Sequence, residues 1–324
     1  MLKKMQICSL FSGVGGIELG FELTGKYNTI FANEIDKKAG KTYKENFEND
    51  LVIDDIRDLN PQVIPDIDVL TAGFPCTSFS IAGYQKGFED EHTGDLFFET
   101  LRIIVAKKPV TIFLENVKNL VSHDNGKTFR VICEALRANG YYLKYQVLNA
   151  KDFGNVPQNR ERIYIVGFKS LEAYKNFEFP QPIQLNRSLD KVIDFETEVD
   201  KKYYYTPQQC NFYSELQEHV LNATTLYQWR RKYVRENKSS VSPTLTANMG
   251  TGGHNVPILK AKHGIRKLTP RECFSLQGFP ESFVLPTDLP MGSLYKQAGN
   301  SVVVTVITRI AENISRALEH KVCI

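Results

Sequence analysis

Short apolar runs alternate with amphipathic segments through the first half of the chain. Buried strands are predicted at residues 5–11, 28–35, 66–74, 110–117, 141–150 and 160–168. Helical patterns begin near Ile17, extend to Phe47 after the second strand, and return at residues 127–139. The third and fourth runs are apolar at successive positions, which is typical of central strands buried on both faces. This alternation predicts an α/β fold with a doubly wound sheet.

The pattern changes after about Pro180. The following residues are irregular, polar and rich in Tyr, Ser, Thr and Gly, without a clear strand–helix period. Regular structure returns at residues 268–280, and an apolar helix is predicted at residues 302–318. We therefore expect a large domain of residues 1–186 and 290–324 and a smaller, irregular domain of residues 187–289.

The composition is that of an ordinary globular protein. Of the 324 residues, 42% are hydrophobic and 24% are charged. The longest uncharged stretch, residues 69–85, is rich in Gly, Ser, Thr and Pro, so it does not predict a membrane span. The N-terminus is too polar for a secretory signal. The six cysteines are far apart and form no C-x-x-C pair, which argues against a metal site and favours a cytoplasmic location.

The charge is unevenly distributed. Residues 226–272 contain ten lysines or arginines and two glutamates, a surplus of +8 in a chain of net charge +3, so the remainder carries −5. This segment includes "LYQWRRKYVRENK", in which Arg230, Arg231 and Arg235 alternate with aromatic residues. Leu226, Trp229 and Tyr233 are expected to form one apolar helical face, with the arginines facing outward. A Lys-rich solvated surface is the alternative, but basic residues interleaved with aromatics favour a polyanionic partner.

A glycine-rich turn follows the first predicted strand and opens a helix. Its Gly13 and Gly15 allow a ligand to approach the backbone closely, but Glu18 replaces the third glycine of a dinucleotide fingerprint. Glu34 ends the second strand, where a carboxylate can accept hydrogen bonds from both ribose hydroxyls. Asp55 follows a short apolar run and can meet an adenine amino group. A nucleoside without a diphosphate fits these residues, and S-adenosylmethionine fits better than NAD.

Cys76 is placed to react. It follows a predicted strand that stops at Phe74, and Pro75 fixes the turn before it. A cysteine that serves packing alone is expected inside an apolar run, where it behaves as a small hydrophobe. Packing at the strand end is the structural alternative, and the position favours a nucleophilic thiol.

Six motifs occur in a fixed order. They are "LFSGVGG" (residues 10–16), "GFPC" (73–76), "ENV" (115–117), "PQNRER" (157–162), "RKLTPREC" (266–273) and "QAGNSV" (297–302). Together they resemble the bacterial DNA C5-cytosine methyltransferases of type II restriction–modification systems, over nearly the whole chain apart from residues 187–240. The resemblance implies a Rossmann-like S-adenosylmethionine-binding sheet with a smaller target-recognition domain. It assigns catalysis and cofactor binding to the predicted large domain, and recognition with a hinge to residues 187–289.

The resemblance also implies the reaction. A cytosine is flipped out of duplex DNA, and the Cys76 thiolate adds to carbon 6 so that carbon 5 can attack the methyl group. Glu115 meets ring nitrogen 3 and the exocyclic amine, and Arg162 reaches the oxygen at position 2. Asn116 orients the site. Arg160 steadies the cysteine loop or the extruded nucleotide. A plain surface arginine is the alternative for both Arg160 and Arg162.

Cofactor and DNA contacts follow from the same resemblance. The cofactor residues are Phe11, Gly13, Val14, Gly15, Gly16, Glu34, Ile35, Asp55, Ile56, Phe74, Pro75, Leu96, Asn300 and Ser301. The DNA contacts are Ser80, Gln85, Lys86, Arg230, Arg231, Arg235, Thr244, Leu245, Gly252 and Gly253. Two positions depart from the family: Ile35 replaces an aromatic that stacks on adenine, and Thr77 replaces a glutamine after the catalytic cysteine.

Other functions remain open at this point. A tRNA cytosine methyltransferase shares the chemistry, and the basic recognition segment favours DNA over it. A binding protein without catalysis is disfavoured because the catalytic residue types are all present, and a nicotinamide oxidoreductase because the third glycine is missing. The expected partners are double-stranded DNA and a cognate restriction endonuclease acting on the same site. We expect a monomer with no membrane contact.

Overall fold

The computed structural model describes residues 3–75, 96–251 and 255–319. Its strands are β1 (Met5–Leu10), β2 (Tyr27–Glu34), β3 (Asp50–Ile53), β4 (Val69–Ala72), β5 (Thr111–Val117), β6 (Tyr142–Asn149), β7 (Glu161–Phe168), β8 (Tyr227–Trp229), β9 (Val234–Glu236), β10 (Ile258–Ala261) and β11 (Gly264–Lys267). Its helices are α1 (Gly16–Glu22), α2 (Lys37–Lys44), α3 (Leu96–Lys107), α4 (Lys127–Ala138), α5 (Ala150–Phe153), α6 (Leu171–Asn176), α7 (Tyr213–His219), α8 (Pro270–Leu276), α9 (Met291–Asn300) and α10 (Val304–Glu319).

One sheet dominates the fold. Seven strands pair in the order β3-β2-β1-β4-β5-β7-β6. The strands from β1 to β5 pair in parallel, and β7 runs antiparallel to β5. Parallel neighbours need crossover connections, which α1 and α2 supply between the first three strands. The predicted α/β sheet is confirmed. The strand order reverses between β1 and β4, and ligands of such sheets bind at the carboxyl ends of the strands beside this reversal.

The core of the large sheet explains the uninterrupted apolar runs. In β4 and β5, Leu70, Ala72, Ile112, Phe113 and Leu114 are fully buried. Because helices cover a parallel sheet on both faces, both faces of these strands must be apolar. The two runs predicted as central strands occupy that position.

The described residues group into two compact units. The first comprises Met1–Leu148, Glu161–Gln181 and Val306–Ile324, and the second comprises Asn149–Arg160 and Pro182–Thr305. The units and the predicted domains divide the chain differently at residues 149–160, 182–186 and 290–305. The functional boundaries stay a prediction, since compactness does not test which residues bind cofactor or DNA.

The second unit contains a small antiparallel sheet in the order β11-β10-β8-β9. The helix expected from Leu226, Trp229 and Tyr233 is wrong, because β8 and β9 form a hairpin that includes Trp229. Alternation along a strand places Tyr227 and Trp229 on one face, where they join a cluster that contains Ile258. Trp229 also stacks on Phe212 with ring centroids 4.3 Å apart, so aromatic packing selects the strand.

The predicted last helix is present as α10. The Tyr27 hydroxyl at the start of β2 donates a hydrogen bond of 2.8 Å to the Ala311 carbonyl of this helix, both within the first unit. Among the residues described, no helix combines the length and the apolar character that crossing a membrane requires.

Candidate active site

The turn between β1 and α1 is shaped for close approach. Gly13 and Gly15 have φ of 57° and 89°, in the left-handed region that favours glycine. A Cβ at Gly15 would lie 2.1 Å from the Phe47 ring, whereas no described atom lies within 4 Å of the corresponding point at Gly13. Val14 and Gly16 are buried beneath the turn. Phe11, half-buried with φ of 55°, packs against the main core cluster. The turn therefore leaves room for a ligand at Gly13.

Glu34 connects this turn to the end of β2. Its carboxylate accepts hydrogen bonds from the Gly13 amide at 2.7 Å and from the Asp36 amide at 2.8 Å. Burial raises the pKa of the Glu34 carboxyl, and these two backbone donors oppose the shift. Each carboxylate oxygen has a further lone pair, so Glu34 can accept hydrogen bonds from ribose hydroxyls while it holds the turn.

The carboxyl end of β3 carries the next group of predicted cofactor residues. The Asp55 carboxylate accepts hydrogen bonds from the Arg57 amide at 3.0 Å and the Arg57 guanidinium at 2.9 Å. The buried Asn33 amide donates to the Asp54 carbonyl at 3.0 Å and fixes the chain that leads to Asp55. Ile56 is buried and Ile35 is 61% exposed. Sequence reasoning missed Arg57, although its position two residues after an aspartate is a signal for such a turn.

Glu115 and Arg162 form an ion pair at the end of β5. Arg162 Nε lies 3.1 Å from Glu115 Oε1, with side-chain exposures of 15% and 11%. In the antiparallel pairing of β5 with β7, Val117 is opposite Arg162 and Glu115 is opposite Tyr164. A Cβ placed on Gly73 would lie 3.7 Å from Glu115 Oε2. The sheet register therefore brings two predicted catalytic residues together beside the chain that leaves β4.

Asn116 anchors that chain. Its buried amide donates a hydrogen bond of 2.7 Å to the Phe74 carbonyl and accepts one of 2.8 Å from the Val117 amide. Phe74 is buried and packs on Phe97 of α3, while Pro75 is exposed. Leu96, the first residue of α3, is half-buried. Asn116 thus positions the segment that leads to Cys76.

Several predicted contacts cannot be placed. Cys76, Ser80, Gln85, Lys86, Gly252 and Gly253 lie outside the described residues, as does Thr77. The catalytic and DNA-binding roles assigned to these residues stay predictions.

Glu18 is a buried acid with no assigned role. It lies in the first turn of α1, fully buried, and within the described part of the chain neither carboxyl oxygen has a hydrogen-bond partner of ordinary geometry. Burial raises its pKa to about 7, and the nearby Ser9 and Ser12 hydroxyls offset only part of this shift. In the sequence, the burial of Glu18 is indicated by its place on the helix face that must pack against the core.

Comparison with known families identifies the protein class. The model of the C-5 cytosine-specific DNA methylase family matches residues 5–316. The chain belongs to this family. It is therefore a DNA (cytosine-5-)-methyltransferase, an enzyme that uses a methyl donor and acts on DNA. The motifs that carried the predicted resemblance lie within the matched range.

Individual proteins similar to this methyltransferase are themselves methyltransferases. The chain is 67% identical over 314 residues to the type II methyltransferase M.Bsp6I of Bacillus sp. (strain RFL6), covering 97% of this chain and 99% of that protein. It is 41% identical to the type II methyltransferase M.SsoII of Shigella sonnei, covering 98% and 81%. The S. pombe Dnmt2 methyltransferase structure matches with a TM-score of 0.71 at 21% identity, covering 99% of this chain and 100% of that one. This structural match supports the fold.

Arg160 of the methyltransferase is buried in the second unit. It is 3% exposed, and its guanidinium donates to the Leu245 carbonyl at 2.7 Å, the Ser301 carbonyl at 2.5 Å and the Gly299 carbonyl at 3.2 Å. The surface-arginine alternative is wrong. A backbone-binding arginine positions other residues, and the catalytic role predicted for Arg160 stays a prediction.

Thr244 and Leu245 begin the loop predicted to read DNA. The Thr244 hydroxyl donates to the Asn159 carbonyl at 2.6 Å, and the buried Leu245 amide donates to Gln158 Oε1 at 3.1 Å. Asn300 is exposed at the end of α9, and Ser301 is half-buried. Sequence reasoning missed Gln158 and Asn159, although both lie inside the "PQNRER" motif.

The three predicted DNA-binding arginines lie on the β8–β9 hairpin. Arg230 and Arg231 are exposed in its turn, where Arg231 has φ of 67° and the Arg230 amide donates to the Tyr233 carbonyl at 2.9 Å. Arg235 lies on β9 opposite Gln228, and its guanidinium donates to the Gln228 side-chain oxygen. The hairpin thus presents two arginines at its tip and one held in place by a cross-strand neighbour.

Proposed function

We propose that this methyltransferase transfers the methyl group of S-adenosylmethionine to carbon 5 of a cytosine flipped out of duplex DNA. The observation that carries the proposal is the Glu115–Arg162 pair at 3.1 Å beside the anchored chain that leads to Cys76. A carboxylate and a guanidinium held together at this strand end match the polar groups of a cytosine ring, and we propose that Cys76, which follows the anchored segment in sequence, supplies the nucleophile. The target carbon is inaccessible inside a duplex, so the nucleotide must leave the stack.

The protein residues carry the activation of the ring. The Cys76 thiolate forms a bond to carbon 6, and the displaced electron pair moves into the ring and makes carbon 5 nucleophilic. Glu115 supports a proton or hydrogen bond at ring nitrogen 3, where negative charge accumulates, and Arg162 holds the oxygen at position 2. After methylation, water removes the proton from carbon 5, the double bond re-forms, and the sulfur leaves as thiolate.

The residues around the glycine-rich turn fit S-adenosylmethionine, which when bound supplies an electrophilic methyl group. Glu34 has acceptor capacity for two ribose hydroxyls, and Gly13 leaves open space where a side chain would intrude. The Asp55 carboxylate, oriented by Arg57, accepts the adenine amino group. Asn300 and Ser301 are the cofactor contacts that we propose in the second unit.

The biological role that we propose is host protection. Similarity to type II methyltransferases supports an enzyme that marks a short DNA sequence so that a cognate restriction endonuclease spares it. Arg235 and the loop from Thr244 are proposed to read that sequence, because arginine pairs bidentately with guanine in the major groove. The exposed Arg230 and Arg231 at the hairpin tip are proposed to bind phosphates. We propose that the enzyme works as a monomer.

Two experiments test this function. Bisulfite sequencing of plasmid DNA from cells that express the chain should show protected cytosines at one short sequence. A duplex with 5-fluorocytosine at that position, given with S-adenosylmethionine, should then become covalently trapped, because fluorine blocks loss of the carbon 5 substituent. The Cys76→Ala variant should bind the duplex without trapping. Methylation of tRNA but not of duplex DNA, or absence of the trapped complex, would refute the proposal.

A further inference from the structure

Two segments of the second unit with different proposed ligands share one buried arginine. The Leu245 carbonyl belongs to the loop proposed to read DNA, and the Gly299 and Ser301 carbonyls flank Asn300, a proposed cofactor contact. Arg160 donates hydrogen bonds to all three carbonyls at 2.5–3.2 Å. Because the guanidinium is planar and its donors diverge in fixed directions, the two segments are held in one relative position.

Glycine packing reinforces this connection. A Cβ at Gly299 would lie 2.1 Å from the backbone carbon of Thr246, and a Cβ at Gly250 would lie 2.5 Å from the Gly292 carbonyl oxygen. The short 3₁₀ helix Ala247–Gly250 therefore packs backbone to backbone on α9. At these glycines no side chain separates the two backbones, so there is no layer that could adjust by changing rotamers. A displacement of one segment must therefore move the other.

Two glutamines complete the network. Gln158 accepts from the Leu245 amide and donates to the Leu276 carbonyl at 2.7 Å and to Gln277 Oε1 at 3.1 Å. Gln277 in turn donates to the Ala298 carbonyl at 2.7 Å. Every one of these groups is buried, where an unmade hydrogen bond is costly. The network favours a single arrangement of the loop and the end of α9.

We propose that Arg160 is a positioning residue that couples cofactor binding to DNA binding. The inference rests on the proposed function, since it takes Asn300 and Ser301 as cofactor contacts and Thr244 as a DNA contact. A ligand that orders the end of α9 also orders the loop through Arg160, so the second ligand binds an already ordered segment. By thermodynamic linkage, each ligand raises the affinity of the protein for the other ligand by the same factor. For such couplings this factor is about 5- to 150-fold.

The test measures that factor directly. The dissociation constant of the cognate duplex is determined by fluorescence anisotropy with and without saturating S-adenosylhomocysteine. We expect the wild-type protein to bind DNA roughly tenfold more tightly with the cofactor product. The Arg160→Gln variant should lose this ratio, and Arg160→Lys should recover part of it. Arg130→Gln, an exposed arginine of α4, is the matched control and should keep the full ratio.

A role in folding alone predicts another result. In that case Arg160→Gln would bind both ligands more weakly, but the ratio of the DNA dissociation constants without and with S-adenosylhomocysteine would stay as in the wild type. This outcome overturns the proposal, and so does a ratio of one in the wild-type protein. If Arg160→Gln does not fold, hydrogen exchange of the wild-type protein decides. S-adenosylhomocysteine without DNA should slow amide exchange at residues 244–251, and unchanged exchange there overturns the coupling. A protein that binds neither ligand refutes the proposed function itself, and the coupling with it.

Discussion

The strand-end site of the first unit and the proposed DNA-contact segments of the second unit present their side chains differently. Glu34, Glu115 and Arg162 lie at the ends of strands, largely buried and fixed by sheet register and backbone amides. Arg230, Arg231 and other basic residues of the second unit project from a short hairpin into solvent. The residues proposed for catalysis thus lie on the rigid sheet, and those proposed to contact DNA lie where substitution costs little stability.

Arginines are likewise of two kinds, buried and exposed. Arg162 is positioned by an ion pair with Glu115, and Arg160 by three carbonyls. Among the described residues, the Arg235 guanidinium donates to the Gln228 side chain, and Arg235 lies on a three-residue strand. The first two are parts of a preorganised structure. The third can change its partner when DNA binds. Substitution of Arg162 should therefore affect rate, substitution of Arg160 should affect the coupling of the two ligands, and substitution of Arg235 should affect sequence choice.

The largest expected effect is on catalysis. Glu115→Gln should lower kcat by roughly 10²- to 10⁴-fold, because it removes the acid that supports charge at ring nitrogen 3. The variant should keep its affinity for duplex DNA within about threefold, as measured by anisotropy beside single-turnover methylation. Glu161→Gln, which breaks an exposed pair with Lys118, is the control and should leave kcat unchanged. A normal rate in Glu115→Gln would contradict the role of Glu115.

The next effect concerns stability. The Glu18 carboxyl is neutral in the folded and unfolded states below pH 4.5, but only the unfolded state ionises as the pH rises from 4.5 towards its folded pKa of about 7. The free energy of unfolding should therefore fall over this range, by about 3 kcal/mol. Glu18→Gln removes the loss, so its stability advantage in denaturant titrations should grow up to pH 7 and then level off. The exposed control Glu45→Gln should show no such trend. If the difference in unfolding free energy between Glu18→Gln and the wild type did not change with pH, the raised pKa of Glu18 would be disproved.

On the recognition side, Arg235→Ala should relax specificity. Loss of a guanine contact costs about 1–3 kcal/mol at one base pair, so affinity for the cognate duplex should fall while affinity for a duplex changed at that pair stays the same. Arg231→Ala should instead weaken both duplexes equally and lower the salt slope by roughly one. Competition binding across a library of single-base variants measures both effects. Equal weakening by both substitutions would remove the proposed distinction between them.

The smallest effect is on cofactor affinity. Glu34→Gln should raise the dissociation constant of S-adenosylhomocysteine about tenfold, because a neutral amide accepts ribose hydroxyls less well than a carboxylate. Titration calorimetry measures the change, and Glu48→Gln on the exposed surface serves as the control. Unaltered affinity in Glu34→Gln would show that Glu34 only holds the glycine-rich turn.

Much of the large sheet could be predicted from the chain. Apolar runs of seven to ten residues with helical patterns between most of them favour an α/β sheet. The observed sheet confirms it, with β1 to β5 pairing in parallel and β7 antiparallel to β5. The hairpin could not be predicted. The residues from Leu226 to Tyr233 fit an amphipathic helix by spacing, but Trp229 stacks on Phe212, which lies far from it in the sequence. Periodicity reports only local preference, and such a contact overrides it.

The sequence by itself indicated the reaction class, because its six ordered motifs resemble those of the DNA C5-cytosine methyltransferases and several of them follow the points where apolar runs stop. It also named Glu34, Glu115 and Arg162. Only the tertiary structure decided how they are held. The strand register puts Arg162 against Glu115, the Gly13 amide binds Glu34, and Arg160 joins a loop to a helix end that is 139 residues away at Gly299. These contacts join residues that are distant in the sequence and become neighbours only when the chain folds, so local sequence patterns do not reveal them.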